Sequence, residues 1–101
     1  MEHHVYFWLK DEHKTDKDRA AFIDGLRTLL GIPSVAGGVV GVPAETEERP
    51  VVDKSWDFAT SLRFDSLEDQ SAYQTDPIHE AFVEKFSDWW KKVIVRDVEA
   101  L

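Results

Sequence analysis

The run HHVYFWLK, His3 to Lys10, restricts the possible folds more than any other stretch of this chain. Aromatic and β-branched residues dominate it, so it reads as a β-strand. Successive side chains of a strand point to opposite faces. One face therefore carries His3, Val5, Phe7 and Leu9, and the other carries His4, Tyr6 and Trp8. Neither set belongs in water, so a sheet built around this strand needs a covering layer on each side.

A chain of 101 residues has room for one domain, residues 1–101, and one core. A monomer of this length buries only about 60–70% of the surface that its unfolded chain exposes, so self-association would add useful burial. Hydrophobic residues make up 43% of the sequence, too many for a disordered chain, and charges interrupt them too often for a membrane span. The formal net charge is −8 and no basic stripe is present, which argues against nucleic acid and anionic membrane as partners. The absence of cysteine removes disulfides, thiolate catalysis and thiolate-bound zinc. The first strand begins without an apolar leader, so a cytoplasmic location is expected.

Further along, Thr15 or Asp16 can cap a helix whose residues Phe22, Leu26, Leu29 and Leu30 share a face and which Gly31 and Pro33 end. Val35 to Val42, VAGGVVGV, reads as a short strand whose glycines allow another backbone to approach closely. A polar excursion follows. Trp56 to Phe64 then alternates, with Trp56, Phe58, Thr60, Leu62 and Phe64 on one face. Ser66 and Asp69 form a capping box for a short helix. Asp76 can cap a second long helix with Pro77 at its first position and a stripe of Ile78, Phe82, Phe86, Trp89 and Trp90. VIVRDV, Val93 to Val98, is the last strand. The order β-α-β-β-α-β predicts an α+β, ferredoxin-like fold: a four-stranded antiparallel sheet with its helices on one face. The bare second face is best covered by a second copy, giving a homodimer.

No cofactor is expected. GGVVG lacks the spacing of a dinucleotide loop, and His3 and His4 alternate across a strand, so they cannot share a metal ion. His13 sits in a charged stretch and is expected to be solvated.

These segments together resemble the stress-responsive A/B barrel (Dabb) family. The resemblance rests on HHVYFWLK, IPSV after the first helix, RPVVDKSWDF, YQTDPIHEAF and WKKVIVRD, and it covers nearly the whole chain. It implies a dimeric α/β barrel in which two such sheets pack together with the helices outside. The best understood chemistry of the family is that of a plant polyketide cyclase, which closes a linear polyketide by an aldol condensation without a cofactor. Its catalytic tyrosine and histidine match Tyr73 and His79, and its strand histidine matches His3. A further cavity histidine of that enzyme falls on Phe58 here, implying a less polar pocket.

The resemblance thus implies a pocket for a small, mostly apolar carbonyl compound, with His79 and Tyr73 as the catalytic pair. His3, Val5, Phe7, Phe22, Leu26, Phe58, Phe82 and Trp90 are its expected lining, and Gly25 is expected to leave space beside it. At the third position of its helix, His79 should be held below the ordinary histidine pKa of about 6.5 and stay neutral, as a base requires. Tyr73 could donate a hydrogen bond to the oxyanion that forms. Each residue also has a structural reading: Asp76-Pro77 as helix punctuation, His79 as a local hydrogen-bonding group, Tyr73 as core. The alternatives at the level of function are a non-catalytic stress-associated or binding dimer and, with no residue pointing to it, a heme-linked enzyme of the related barrels.

Overall fold

The two-faced N-terminal run forms β1, Glu2–Leu9, and the computed structural model, which describes residues 1–101, builds the sheet around it. The other elements are α1 (Asp16–Leu29), β2 (Gly37–Gly41), β3 (Phe58–Arg63), α2 (Leu67–Thr75), α3 (Pro77–Phe86) and β4 (Trp90–Val98). The strand order is β2-β3-β1-β4 and every pairing is antiparallel. This is the ferredoxin-like arrangement expected from the element order. No helix is long and apolar enough to cross a membrane.

Helices begin where the capping residues predict. Thr15 Oγ1 accepts from the Asp18 amide at 3.2 Å, Ser66 Oγ from Asp69 at 3.1 Å, and Asp76 Oδ1 from Ile78 at 2.8 Å. Each bond satisfies an amide that the first helical turn leaves without a partner. Of the β2 glycines, Gly41 has open space where a Cβ would sit, whereas Gly38 behaves as read: a Cβ there would lie 2.4 Å from the Ser61 carbonyl oxygen. Only Gly permits that approach.

The core lies between the helices and the His3-Val5-Phe7-Leu9 face of β1. Phe22 sits at its centre, with ring centroids 5.3 Å from Phe7, 5.4 Å from Phe58 and 5.3 Å from Phe86. Burying one such ring contributes about 1.5–3 kcal/mol.

Several expectations are corrected. The second long helix ends at Phe86; Trp89 lies in a short 3-10 turn and Trp90 opens β4, so the apolar stripe divides between helix and strand. Leu30 is exposed. Trp56 does not share the Phe58 face, because the Asp57 amide donates to the Phe7 carbonyl and the Asp57 carboxylate accepts from the Leu9 amide, which interrupts the alternation before β3 begins. Trp56 packs instead on Tyr6, with centroids 5.3 Å apart, on the opposite side of the sheet. His13 is not simply solvated: its ring stacks on Trp89 at 4.4 Å and its Nδ1 pairs with Asp18 at 3.1 Å.

The second face of the sheet is covered in part by the chain itself. Trp8 is buried there, its Nε1 donating to Ser55 Oγ at 3.1 Å and the Lys92 ammonium lying 4.7 Å from its ring. Val39 and Val98 remain exposed.

Gly25 does not open space beside the pocket expected around His79; it lines the groove between α1 and α3, against the Phe86 ring. A Cβ there would lie 2.4 Å from Phe86 Cε2, and Phe86 is held among Phe22, Phe82 and Trp89. Gly25→Ala gains about 1 kcal/mol of helix propensity but overpacks this junction, at a cost of about 1–3 kcal/mol. A lower urea midpoint is expected; a higher one would show that the Phe86 ring can swing aside.

Candidate active site

Between α2 and α3 the chain turns on one residue. Asp76 closes α2, its amide donating to the Tyr73 carbonyl at 3.2 Å, and its carboxylate caps α3. Pro77 forbids a continuous helix and biases Asp76 toward extended backbone, observed at φ −65° and ψ 137°. The break brings Tyr73, in the last turn of α2, against His79, in the first turn of α3, with ring centroids 4.6 Å apart. His3 approaches from β1, 5.8 Å from the Tyr73 ring.

Tyr73 is 2% exposed, and burial raises its pKa well above the ordinary tyrosine value. It is therefore a neutral phenol at physiological pH, a hydrogen-bond donor. The His79 Nδ1 lies 3.2 Å from the Gln74 carbonyl oxygen. A carbonyl only accepts, so Nδ1 carries the proton and Nε2 keeps a free lone pair. The pKa of His79 is lowered, first by desolvation; the Gln74 contact opposes the shift and the neighbouring His3 reinforces it. Direction agrees with the helix-terminus expectation, although burial is the larger cause.

His3 is 4% exposed, and its Nδ1 meets Asp97 Oδ1 at 2.5 Å across the β1–β4 register. That contact fixes the rotation of the ring. A cavity of about 310 Å³ joins His3, Tyr73 and His79, floored by Val5, Phe7 and Val95 and walled by Phe82 and Trp90. Such a volume is at the small end of the range for ligand pockets, about 300–1,000 Å³.

Of the lining expected from sequence, this cavity takes in His3, Val5, Phe7, Phe82 and Trp90. Phe22, Leu26 and Phe58 lie outside it as a correction: they are 0–1% exposed and fill the core behind Phe7 and Phe82. Asp97, Thr60 and Val95 were not singled out from sequence. The two-residue period of VIVRDV could have found two of them, since Val93, Val95 and Asp97 fall on one face.

Other hollows lie elsewhere. One, of about 270 Å³, sits on the open sheet face among Tyr6, Trp8, Trp56 and Arg96. Another, of about 580 Å³, is an open groove between α1 and α3.

Fold and cavity together define a ferredoxin-like α+β protein with a partly open, histidine- and tyrosine-bearing hollow between sheet and helices. The family model described as Stress responsive A/B Barrel Domain matches residues 1–100, and the chain belongs to that family. No curated protein sequence matches it. Among solved structures it is similar to the Arabidopsis thaliana protein At3g17210 (TM-score 0.81, 20% identity, covering 99% of this chain and 94% of that one). It is similar to a dimeric protein of ferredoxin-like fold and unknown function from Bacteroides fragilis (0.72, 21%, 98% and 94%). It is also similar to the hydroxynitrile lyase of Passiflora edulis (0.76, 19%, 94% and 87%). At these identities the likeness is one of fold.

The depressed pKa of His79 has a consequence for stability. Its folded value lies below the unfolded value of about 6.5, so on acidification the unfolded chain takes up this proton first. The contribution is complete above pH 6.5 and is lost as pH falls through the folded midpoint. The His79 ring signal, assigned by its absence in His79→Gln, should titrate below 6.5 by NMR, and that variant should lose less stability over this interval. A midpoint at or above 6.5 would contradict the geometry.

Proposed function

We propose that this chain works as a cytoplasmic homodimer that binds a small, mostly apolar carbonyl compound in the His3-Tyr73-His79 cavity and moves a proton on it without a cofactor. The observation that carries this reading is the meeting of two unlike groups in one partly open hollow: an imidazole with a free Nε2 lone pair and a neutral buried phenol. In the step envisaged, His79 Nε2 takes a proton from the carbon next to the carbonyl. The C–H electron pair becomes the C=C bond of an enolate, and the carbonyl π pair moves onto oxygen. Tyr73 donates a hydrogen bond to that oxygen, where the charge develops. The enolate carbon can then add to a second carbonyl carbon of the same molecule, whose π pair moves onto its oxygen and takes the proton back from His79, closing a ring; read backwards, the same arrangement breaks a carbon–carbon bond. A lyase among the fold neighbours supports chemistry of this class on this scaffold.

Proton abstraction can be measured without knowing the natural substrate. In deuterated buffer the protein should accelerate exchange of the α-hydrogens of 2-octanone. Loss of the base in His79→Ala should lower that rate about 10²–10⁴-fold, and Tyr73→Phe, which removes one oxyanion donor, about 10²–10³-fold. Binding of the ketone with no exchange above buffer would reject the catalytic role and leave a non-catalytic binding protein.

The dimeric fold neighbour and the half-covered second face of the sheet support the homodimer. Tyr6, Ile94, Val39 and Val98 are on that face and only partly shielded or exposed. Sedimentation equilibrium at micromolar concentration should give twice the chain mass. A well-folded monomer there would remove this element of the proposal.

A further inference from the structure

His79 is not the only imidazole at the cavity. His3 enters from β1, and its Nδ1 donates to the Asp97 carboxylate at 2.5 Å. An ionised carboxylate only accepts, so Nδ1 holds the proton and the neutral ring keeps its lone pair on Nε2. No hydrogen bond from the chain reaches that Nε2. The cavity wall therefore carries two imidazole acceptors, His3 Nε2 and His79 Nε2, beside the Tyr73 phenol. Proton abstraction from carbon uses only one of the two.

Both imidazoles pack on the same Tyr73 ring, His79 with centroids 4.6 Å apart and His3 with centroids 5.8 Å apart. They are close enough that a charge on His3 disfavours the protonated form of His79. The two rings thus serve neighbouring atoms of one ligand rather than the ends of a long one. Asp97 fits His3 for moving protons. It fixes the tautomer, and its charge stabilises the imidazolium that forms when Nε2 takes a proton. His3 and Asp97 are paired residues of the β1–β4 ladder, so the sheet backbone holds the dyad in place. A cross-strand clamp alone would need only the Nδ1 contact, not a free Nε2 at a hollow.

We infer that His3, set by Asp97, is a second catalytic base, and that the cavity takes small α-hydroxyketones and interconverts them with their positional isomers. This rests on the reading of His79 as a base in a carbonyl site. A simple ketone offers no donor to His3 Nε2, whereas a hydroxyl on the carbon next to the carbonyl supplies one. In the reaction, His79 Nε2 takes the hydrogen of the carbinol carbon as a proton, and the C–H electron pair becomes the C=C bond of an enediolate. The carbonyl π pair moves onto its oxygen, to which the Tyr73 hydroxyl donates. His3 Nε2 takes the proton of the adjacent hydroxyl and delivers it to that oxygen. The new oxyanion re-forms a carbonyl, and the C=C pair takes the proton back from His79 on the other carbon. Carbonyl and hydroxyl have exchanged places, with no net oxidation or reduction.

The test uses 2-hydroxy-3-pentanone in deuterated buffer, with 2-octanone as its companion. The wild type should exchange the carbinol hydrogen and form 3-hydroxy-2-pentanone, both faster than buffer alone, as read by NMR. The ratio of isomer formed to hydrogen exchanged reports the transfer between oxygens and does not depend on how much protein is folded. His3→Gln should lower that ratio about 10²-fold. Asp97→Ala, at a half-exposed position, should lower it about tenfold. Nitrogen NMR should show the His3 proton on Nδ1 in the wild type and shared between both ring nitrogens in Asp97→Ala. Exchange without isomer in the wild type, or an unchanged ratio in either variant, would overturn the inference and leave His79 as the base. Should His3→Gln not fold, Asp97→Ala decides alone. Exchange of neither compound would overturn the carbonyl-site reading itself.

Discussion

The fold depends on β1 being a central strand that is apolar on both faces. Its neighbours β3 and β4 saturate its hydrogen bonds, and its side chains then demand two separate covers. The helices supply the first, and the closeness that requires is visible at Gly25, where the α1 backbone gives way to the Phe86 ring. The second cover is incomplete. Residues 53–57 fold back over Trp8 and Tyr6 but leave β2 and much of β4 bare, so the long polar excursion before β3 has a structural task that its composition did not announce.

The helical layer is broken, and the cavity exists because of the break. A continuous helix through residues 67–86 would place Tyr73 and His79 six residues apart, roughly 600° of rotation and 9 Å of rise, pointing in different directions. Asp76 ends one helix and starts the next, turning the chain so that the two rings meet. The same break leaves the Gln74 carbonyl near the end of α2 without an intrahelical partner, and His79 Nδ1 takes it up. One local event thus sets both the position of the imidazole and its tautomer.

Much of this was legible in the sequence. The caps at Thr15, Ser66 and Asp76, the two faces of β1 and the element order follow from local stereochemistry, which a short window contains. What was not legible depends on contacts between distant segments. Trp90 continues the helical stripe of Phe82 and Phe86 by spacing, yet the helix stops at Phe86 and Trp90 pairs with Leu9 in the sheet. Trp56 continues the alternation of β3 by period, yet Asp57 is claimed by the Phe7 and Leu9 backbone. At the site, His3, Tyr73 and His79 share one hollow, whereas Phe22, Leu26 and Phe58 have the right polarity for a pocket wall and the right depth only for a core. Hydrophobicity marks a residue as facing inward; it does not tell an inward wall from an inward centre.

The division between core and cavity has an energetic logic. On the Phe22 side, aromatic rings pack edge to face at centroid distances near 5.3 Å and leave no hollow. Around the cavity, the wall includes a histidine whose charged form is disfavoured, a deeply buried phenol, and two polar atoms without partners, Thr60 Oγ1 on β3 and Trp90 Nε1 on β4. The two unpartnered atoms each cost the free chain about 1–3 kcal/mol, an amount that matters beside the about 5–15 kcal/mol holding a domain together, and the aromatic side offsets them. The hollow lies against an edge strand, with Val95 half exposed at its floor. An edge position lets a ligand reach the hollow without any displacement of the Phe22 cluster. Rigidity and access are thereby assigned to opposite sides of β1, the strand whose two-faced sequence set the problem.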